Sequence, residues 1–467
     1  MIIKLKILII NISLRPDSDC KLFPLGLAYI TTAIAKAGYK YDLLDIDAER
    51  LSDKEIEKRL EKKSYDVVAM GCLVTGYKIV KELAAIVRDV HPNSKIIVGN
   101  SVATSIYEIL LRTTEVDIAV LGEGEVTISE LLDTLAKNGN LDIVQGIAFS
   151  NGRDCVKTID RAAVKNLDEL FWADFSPYDI ETYIEGFRPY IPQPYPIALE
   201  EIRALPVNFA RGCFMNCSFC YHNFQGEPYR KRSNSAIILR IKYLIEAYDI
   251  NYIYFYDETT FTNSKQSRNF AESIITSGLK FNWAGNCRAS AFKKEEDIET
   301  LHLLKQAGCV GMAYSLESGD EVILKAMNKK MKVEEFNRQC DLFNKSNMPI
   351  WTCIVVGYPQ ETTETIKKTF DVCIQNRVYP SIGYLLPFPG SNIYNYALKN
   401  GYIPNEEEYL LRLGDRQDLR LNLTVMNDEE LVKNVQENAL RCKRSLGMDL
   451  DEADLIKSKT YRSVAKI

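Results

Sequence analysis

Arg211-Gly212-Cys213-Phe214-Met215-Asn216-Cys217-Ser218-Phe219-Cys220 follows a short apolar, strand-like run at 206–210. Three of the chain's 12 cysteines fall in this one stretch. Thiolates hold iron–sulfur clusters, commonly four to a cluster. Three thiolates leave one iron of a [4Fe–4S] cube without a protein ligand, open to nitrogen and oxygen donors. A structural zinc site asks for four ligands, typically in two short pairs. His222 stands two residues past Cys220, a cramped spacing for closing a tetrahedron, and no second Cys or His pair occurs elsewhere. The spacing therefore favours Cys213, Cys217 and Cys220 as ligands of an iron–sulfur cluster over zinc. The other cysteines are scattered, and Cys72, Cys309 and Cys353 lie in apolar runs where they read as small core residues.

Downstream of this stretch, strands and helices alternate. The pattern predicts strands at 206–210, 251–256, 281–286, 310–316, 351–356 and 381–386. Helices are predicted at 235–248, 264–277, 295–307, 332–346 and 363–376. Six such repeats fit an incomplete (β/α) barrel, whose functional residues gather at the carboxyl ends of the strands. Those ends carry Asp257-Glu258, Arg288, Glu317-Ser318, Gly357 and Pro387-Phe388-Pro389-Gly390-Ser391. Taken singly, Asp257-Glu258 reads equally as a helix cap and Glu317-Ser318-Gly319 as a plain turn. Beyond about 390 the chain is polar and predicted helical, most clearly at 428–445.

Upstream, residues 1–150 place apolar runs at Ile7–Ile10, Tyr41–Ile46, Tyr65–Gly71, Lys95–Val98, Val116–Leu121 and Val144–Phe149, with amphipathic stretches between them. The alternation predicts a doubly wound parallel sheet covered on both faces, with ligands beyond the carboxyl ends of its strands. Two glycine-bearing segments fall at such ends: Gly99-Asn100-Ser101-Val102-Ala103-Thr104 and Gly122-Glu123-Gly124-Glu125. Glycine lets a ligand approach the backbone closely, and ordinary strand-to-helix turns use it as well. Residues 151–204 open on the hairpin signal Asn151-Gly152 and continue with aromatics and prolines. They read as a linker packed on both neighbours. The expected division is 1–150, the linker 151–204, a barrel over 205–392 and a helical cap over 393–467.

Net charge is −5, with 46% hydrophobic and 26% charged residues. The short basic run Arg230-Lys231-Arg232 reads as a solvated rim and not as a nucleic-acid stripe, and DNA is not an expected partner. No run reaches the length of a membrane span. The Lys4–Ile10 segment is too short for a signal core and lacks a cleavage site, so a cytoplasmic location is expected.

Cys213-x3-Cys217-x2-Cys220, with Phe219 before the third cysteine, resembles the radical S-adenosylmethionine (SAM) signature. The strand-end motifs above follow in that superfamily's order. The first 150 residues resemble the cobalamin-binding domain of its B12-dependent class, through Pro24-Leu25-Gly26-Leu27-Ala28-Tyr29 and the two glycine segments. The linker resembles that class too, in Asn166–Leu170 and Asp174-Phe175. The resemblance covers about residues 5–395. It departs from many cobalamin domains in lacking a D-x-H-x-x-G motif around His91, His222 or His302, and in Asn100 and Val102 where glycine and histidine are common.

The resemblance implies three cofactors: a [4Fe–4S] cluster, SAM and cobalamin. SAM would chelate the open iron and yield a deoxyadenosyl radical. That radical would take hydrogen from an unactivated carbon, which then receives methyl from methylcobalamin. Asp257 or Glu258 would hold the SAM amino group, Glu317 and Ser318 the ribose or carboxylate, and the backbone near Gly357 the adenine, with Arg288 also among the SAM contacts. Gly99, Ser101, Thr104, Gly122, Glu123 and Gly124 would contact cobalamin, with Leu73, Val74 and Thr75 near its lower face. Implied partners are a small-molecule or peptide substrate and an external electron donor such as flavodoxin or ferredoxin. Oxidation, cyclisation or rearrangement without methyl transfer is the alternative. A methylthiotransferase would need a second cluster motif upstream, which Cys20, Cys72 and Cys155 do not form. A non-enzymatic sensor would need a partner domain, and none is evident. Changing Cys213, Cys217 and Cys220 together to alanine should leave anaerobically reconstituted protein without iron and sulfide. Retention of the cluster on chemical analysis would refute the assignment.

Overall fold

A computed structural model describes residues 4–152 and 154–457. Its first sheet contains strands β1 (Ile7–Asn11), β2 (Tyr41–Asp45), β3 (Val67–Gly71), β4 (Lys95–Gly99) and β5 (Ile118–Val120). They run parallel in the order β2-β1-β3-β4-β5. β1 is buried along its whole length, as Ile and Leu on both sides of a strand covered by helices require. β2 and β3 flank β1 on opposite sides, so the switch point lies at its carboxyl end.

The sheet does not stay parallel. β6 (Ile147–Ser150) runs antiparallel to β5, because residues 137–146 climb back beside Leu121 instead of crossing over as a helix. The Asn151-Gly152 signal is realised as a hairpin into β7 (Cys155–Lys157), the seventh strand. The first sheet thus continues past residue 150.

The second sheet comprises β8 (Ala204–Val207), β9 (Tyr252–Phe255), β10 (Asn282–Asn286), β11 (Cys309–Ala313), β12 (Ile350–Val356) and β13 (Pro380–Tyr384). All are parallel and lie side by side in chain order. The order leaves β8 and β13 as open edges, an incomplete barrel. The run expected at 206–210 divides: its first part enters β8, while Ala210–Arg211 pairs antiparallel with Arg230–Lys231. The expected strand at 310–316 stops at Ala313, and beyond it Glu317 takes a left-handed backbone (φ +63°).

Between the sheets, Phe175, Tyr178 and Tyr183 ring Phe23 of the first unit, with centroids 4.3–5.4 Å away. Trp172 lies 3.8 Å beneath the Arg232 guanidinium of the second. The linker thus packs on both neighbours. C-terminal helices Asn392–Lys399, Glu406–Arg412 and Asp428–Leu446 follow the barrel. The segment between the last two runs across β13, where Tyr384 N donates to Arg416 O (2.7 Å). Residues 458–467 of the expected cap lie outside the described residues. No helix among those described is long and apolar enough to cross a membrane.

Candidate active site between the two sheets

The carboxyl ends of β1, β3, β4 and β5 face Arg211 and residues 221–224, which flank the three cysteines in sequence, across a cavity of about 900 Å³ that the cysteines themselves do not line. Gly71, Leu73, Thr75, Gly99, Asn100, Ser101, Gly122, Glu123 and Gly124 line one side, and Asn208, Arg211, Tyr221, His222, Asn223, Tyr256 and Glu258 the other. Gly414, Asp415, Asp418, Arg420 and Lys457 close the rim. Asp415 is held to the first unit by Arg15 (3.1 Å), and Asp418 is paired with Arg420 and Lys457.

The loop of 213–220 is pinned by its own backbone. Gly212 N donates to Glu258 Oε2 (3.1 Å), Ser218 N to Met327 O (2.9 Å), and Asn328 Nδ2 to Asn216 O (2.6 Å). Thr259 Oγ1 donates to Cys213 Sγ at 3.5 Å. All three cysteines are free thiols. Burial raises the Cys217 thiol, against the pull of Lys329, whereas Cys220 is exposed. Among the described residues no group of three His, Cys, Asp or Glu side chains stands at metal-binding spacing. The donor chemistry nevertheless fits iron, since three cysteines share one loop and thiolates are the ligands that hold iron–sulfur clusters.

Beside them, Glu317 is buried and held left-handed by two backbone bonds to β12, Glu317 N to Cys353 O (3.0 Å) and Val355 N to Glu317 O (2.9 Å). A non-glycine residue in that region is strained, a cost that collects at functional sites. Its carboxylate meets Lys329 Nζ at 2.7 Å. Burial would lower the Lys329 pKa, but Glu317 and the Cys217 thiolate outweigh it and hold the lysine above its ordinary value. This ammonium–carboxylate pair beside the thiols complements the charged end of an amino acid. No spacing in the sequence marks Lys329; only the turn after helix Glu321–Ala326 returns it to Glu317.

The other expected residues divide between lining and support. Asp257 Oδ1 accepts from Phe209 N (2.8 Å) and Ala210 N (3.0 Å), fixing the exit of β8. Ser318 is buried against Thr369, Arg288 stacks on Phe214 (4.8 Å), and Gly357 N donates to Glu361 (3.2 Å). Val74 points into the core and its N–H donates to Ser101 Oγ (2.9 Å), whereas Leu73 is 47% exposed on the cavity. Thr104 does not line the cavity; its hydroxyl accepts from Gly122 N (3.1 Å). Gly122 takes a φ of +68°, which favours glycine. The Glu123 and Glu125 carboxylates are engaged by Arg211 and Arg230. Arg211 and Glu125 carried no role of their own in the sequence, and Arg230, read there as part of a solvated rim, is buried instead, since only the fold opposes them.

The B12 binding domain family matches residues 18–132, and the Radical SAM superfamily matches residues 207–373. An uncharacterized methyltransferase of Pyrococcus horikoshii is 25% identical over 390 residues, 81% of this chain and 79% of that protein. An anaerobic magnesium-protoporphyrin IX monomethyl ester cyclase of Cereibacter sphaeroides is 26% identical over 354 residues, 74% of this chain but 55% of the cyclase. Among solved structures, the radical S-adenosylmethionine methyltransferase TsrM of Kitasatospora setae, with cobalamin and a [4Fe–4S] cluster bound, superposes with a TM-score of 0.67. The match has 16% identity and covers 85% of this chain and 75% of that one.

Asp257 gives a pH signature. Burial, moderated by its two backbone donors, raises its pKa to about 7. Between its unfolded value near 4 and about pH 7 the folded state therefore holds a proton that the unfolded state lacks. Stability falls as pH rises through that window. Asp257→Asn keeps an acceptor for both N–H groups and removes the titration. Urea unfolding at a series of pH values should show the variant gaining on the parent from pH 4 to 7, by on the order of a few kcal/mol, and levelling off above. A pH-independent difference would refute the assignment.

Proposed function

Since a B12-binding domain followed by a radical SAM domain makes this chain a cobalamin-dependent radical SAM enzyme, we propose that it is a C-methyltransferase. It would remove hydrogen from an unactivated carbon and deliver a methyl group there. The observation that carries this reading is the cavity shared by the carboxyl ends of the first sheet and residues 221–224, which follow directly on the third cysteine. The methyltransferase relative, matched over 79% of its length, supports it.

Cys213, Cys217 and Cys220 would hold the [4Fe–4S] cluster. Glu317 and Lys329 would take the amino and carboxylate groups of SAM, trading their mutual ion pair for the two charges of the ligand. Cobalamin would lie in the crevice lined by Gly99, Ser101 and Gly122, with Leu73 and Thr75 below it. When bound, the cluster and SAM supply the hydrogen-abstracting radical, and cobalamin supplies the methyl group. The protein's own part is placement and exclusion of water. Glu258 fixes the first turn of the cysteine loop, Asp257 fixes the strand end before it, and residues 414–420 close the rim. An external flavodoxin or ferredoxin would provide electrons.

The cyclase relative favours a second reading, SAM-dependent oxidation or ring closure without methyl transfer. Anaerobic incubation of reconstituted enzyme with methyl-labelled SAM and a metabolite extract of its host separates the two. Label in a new product is expected; deoxyadenosine formed with no labelled product would overturn methylation.

The lower face gives a further expectation. Leu73 and Leu14 are exposed on the cavity, and His222, carried by the barrel, is its one histidine among the described residues. The cobalt(II) form should show no protein nitrogen coupling in electron paramagnetic resonance. A nitrogen splitting lost in His222→Ala would show axial ligation instead.

A further inference from the structure

Glu123 and Glu125 lie on the turn from β5 into helix Gly124–Ala136, where the first sheet meets the cavity. Their carboxylates engage the second sheet's cysteine loop at its feet. Arg211 and Arg230 face each other across the small antiparallel ladder, and every residue between them, all three cysteines included, hangs from that pair. Glu123 Oε1 lies 3.1 Å from Arg211 Nη1 and 2.9 Å from Arg230 Nη2, so one oxygen holds both feet. It sits off the hydrogen-bond axis of either guanidinium, as a shared ionic contact does. Glu125 takes the other Nη of Arg211. Arg230 Nη1 donates to Val164 O (2.6 Å), and Val164 N donates back to Glu123 Oε2 (2.8 Å). The four charged side chains are 6–9% exposed. Farther along the loop, Asn223 Nδ2 donates to Oδ1 of Asn100 at the end of β4 (2.9 Å).

We propose that Glu123 and Glu125 are positioning residues that set the distance between the cysteine loop and the crevice of the first sheet, and so between cluster and cobalamin. This rests on the cofactor reading above. General adhesion between domains would be served by any buried contact. These contacts instead converge on the two ends of one loop, from the strand ends that form the opposite wall. Burial adds rigidity: removing one partner strands a charge in the interior, so the loop has no inexpensive alternative position.

The test uses full-length protein reconstituted with iron, sulfide and cobalamin, the cluster reduced and cobalt as Co(II). Pulsed electron paramagnetic resonance then reads the cluster–cobalt distance. The variants are Glu123→Gln, Glu125→Gln, and the pair Glu125→Gln/Arg211→Gln, which leaves no lone charge on that arm and protects against simple unfolding. The expected result is parental iron and cobalamin content with a broadened distance distribution. In cofactor-free protein, hydrogen exchange over 212–229 should be about tenfold faster while β1 and β3 keep parental rates. An unchanged distribution and unchanged loop exchange would overturn the proposal. So would exchange that rises equally everywhere, since that marks lost stability and not lost position. If the parent bound no cobalamin the cofactor reading would fall, while the exchange measurement would still decide whether the carboxylates hold the loop.

Discussion

Four buried charges join the two sheets: Glu123 and Glu125 from one side, Arg211 and Arg230 from the other. Each alone would be costly in a protein interior, and together they sum to zero. Burial opposes the charge on Glu123, yet Arg230 and Arg211 hold its carboxyl below the ordinary range. The rings of Tyr29 and Phe224 lie 5.3 and 5.6 Å from the Arg211 guanidinium and exclude water from it. Local backbone makes the arrangement possible. The left-handed Gly122 turns β5 sharply into its helix, and the short ladder at 210–211 and 230–231 brings two arginines from opposite ends of a loop to one point.

Both sheets run parallel at the cavity, so both present carboxyl ends, the side from which loops project. Several carboxylates there hold loops. Asp257 accepts two N–H groups at the exit of β8, and Glu361 accepts Gly357 N beyond β12 and the Thr365 hydroxyl. Burial lifts both to about 7. Such acids pin backbone in place without needing to touch a ligand. Glu317 differs in kind: it is strained, paired with a lysine, and next to the thiols.

The C-terminal segment belongs to the same design. Arg416 lies against Gly383, whose missing side chain makes room for it, and donates to Ser381. Asp415 reaches Arg15 in the loop after β1, and Glu407 reaches Lys81 and Tyr77 on the first unit's helix Tyr77–Val90. One polar stretch thus closes the cavity by touching both halves of the molecule.

Much of this was legible in order along the chain. The cysteine spacing, the alternation of apolar runs with amphipathic stretches, and the acidic and glycine-bearing residues at strand ends are local patterns. They are set by period, by φ and by the valence of sulfur. What local pattern could not tell was direction and partnership. β6 reads like any other apolar strand, and only the path of residues 137–146 makes it antiparallel. Val74 and Leu73 are adjacent and alike, yet one fills the core and the other faces the cavity. Glu123 sits in a turn suited to contacting a cofactor, but an arginine more than 80 residues away claims its carboxylate. The sequence by itself determined most of the elements and the close spacing of the three cysteines, because those depend on neighbours a few positions apart. The tertiary structure decided which charges meet, because a buried carboxylate is committed to whichever cation the fold sets against it.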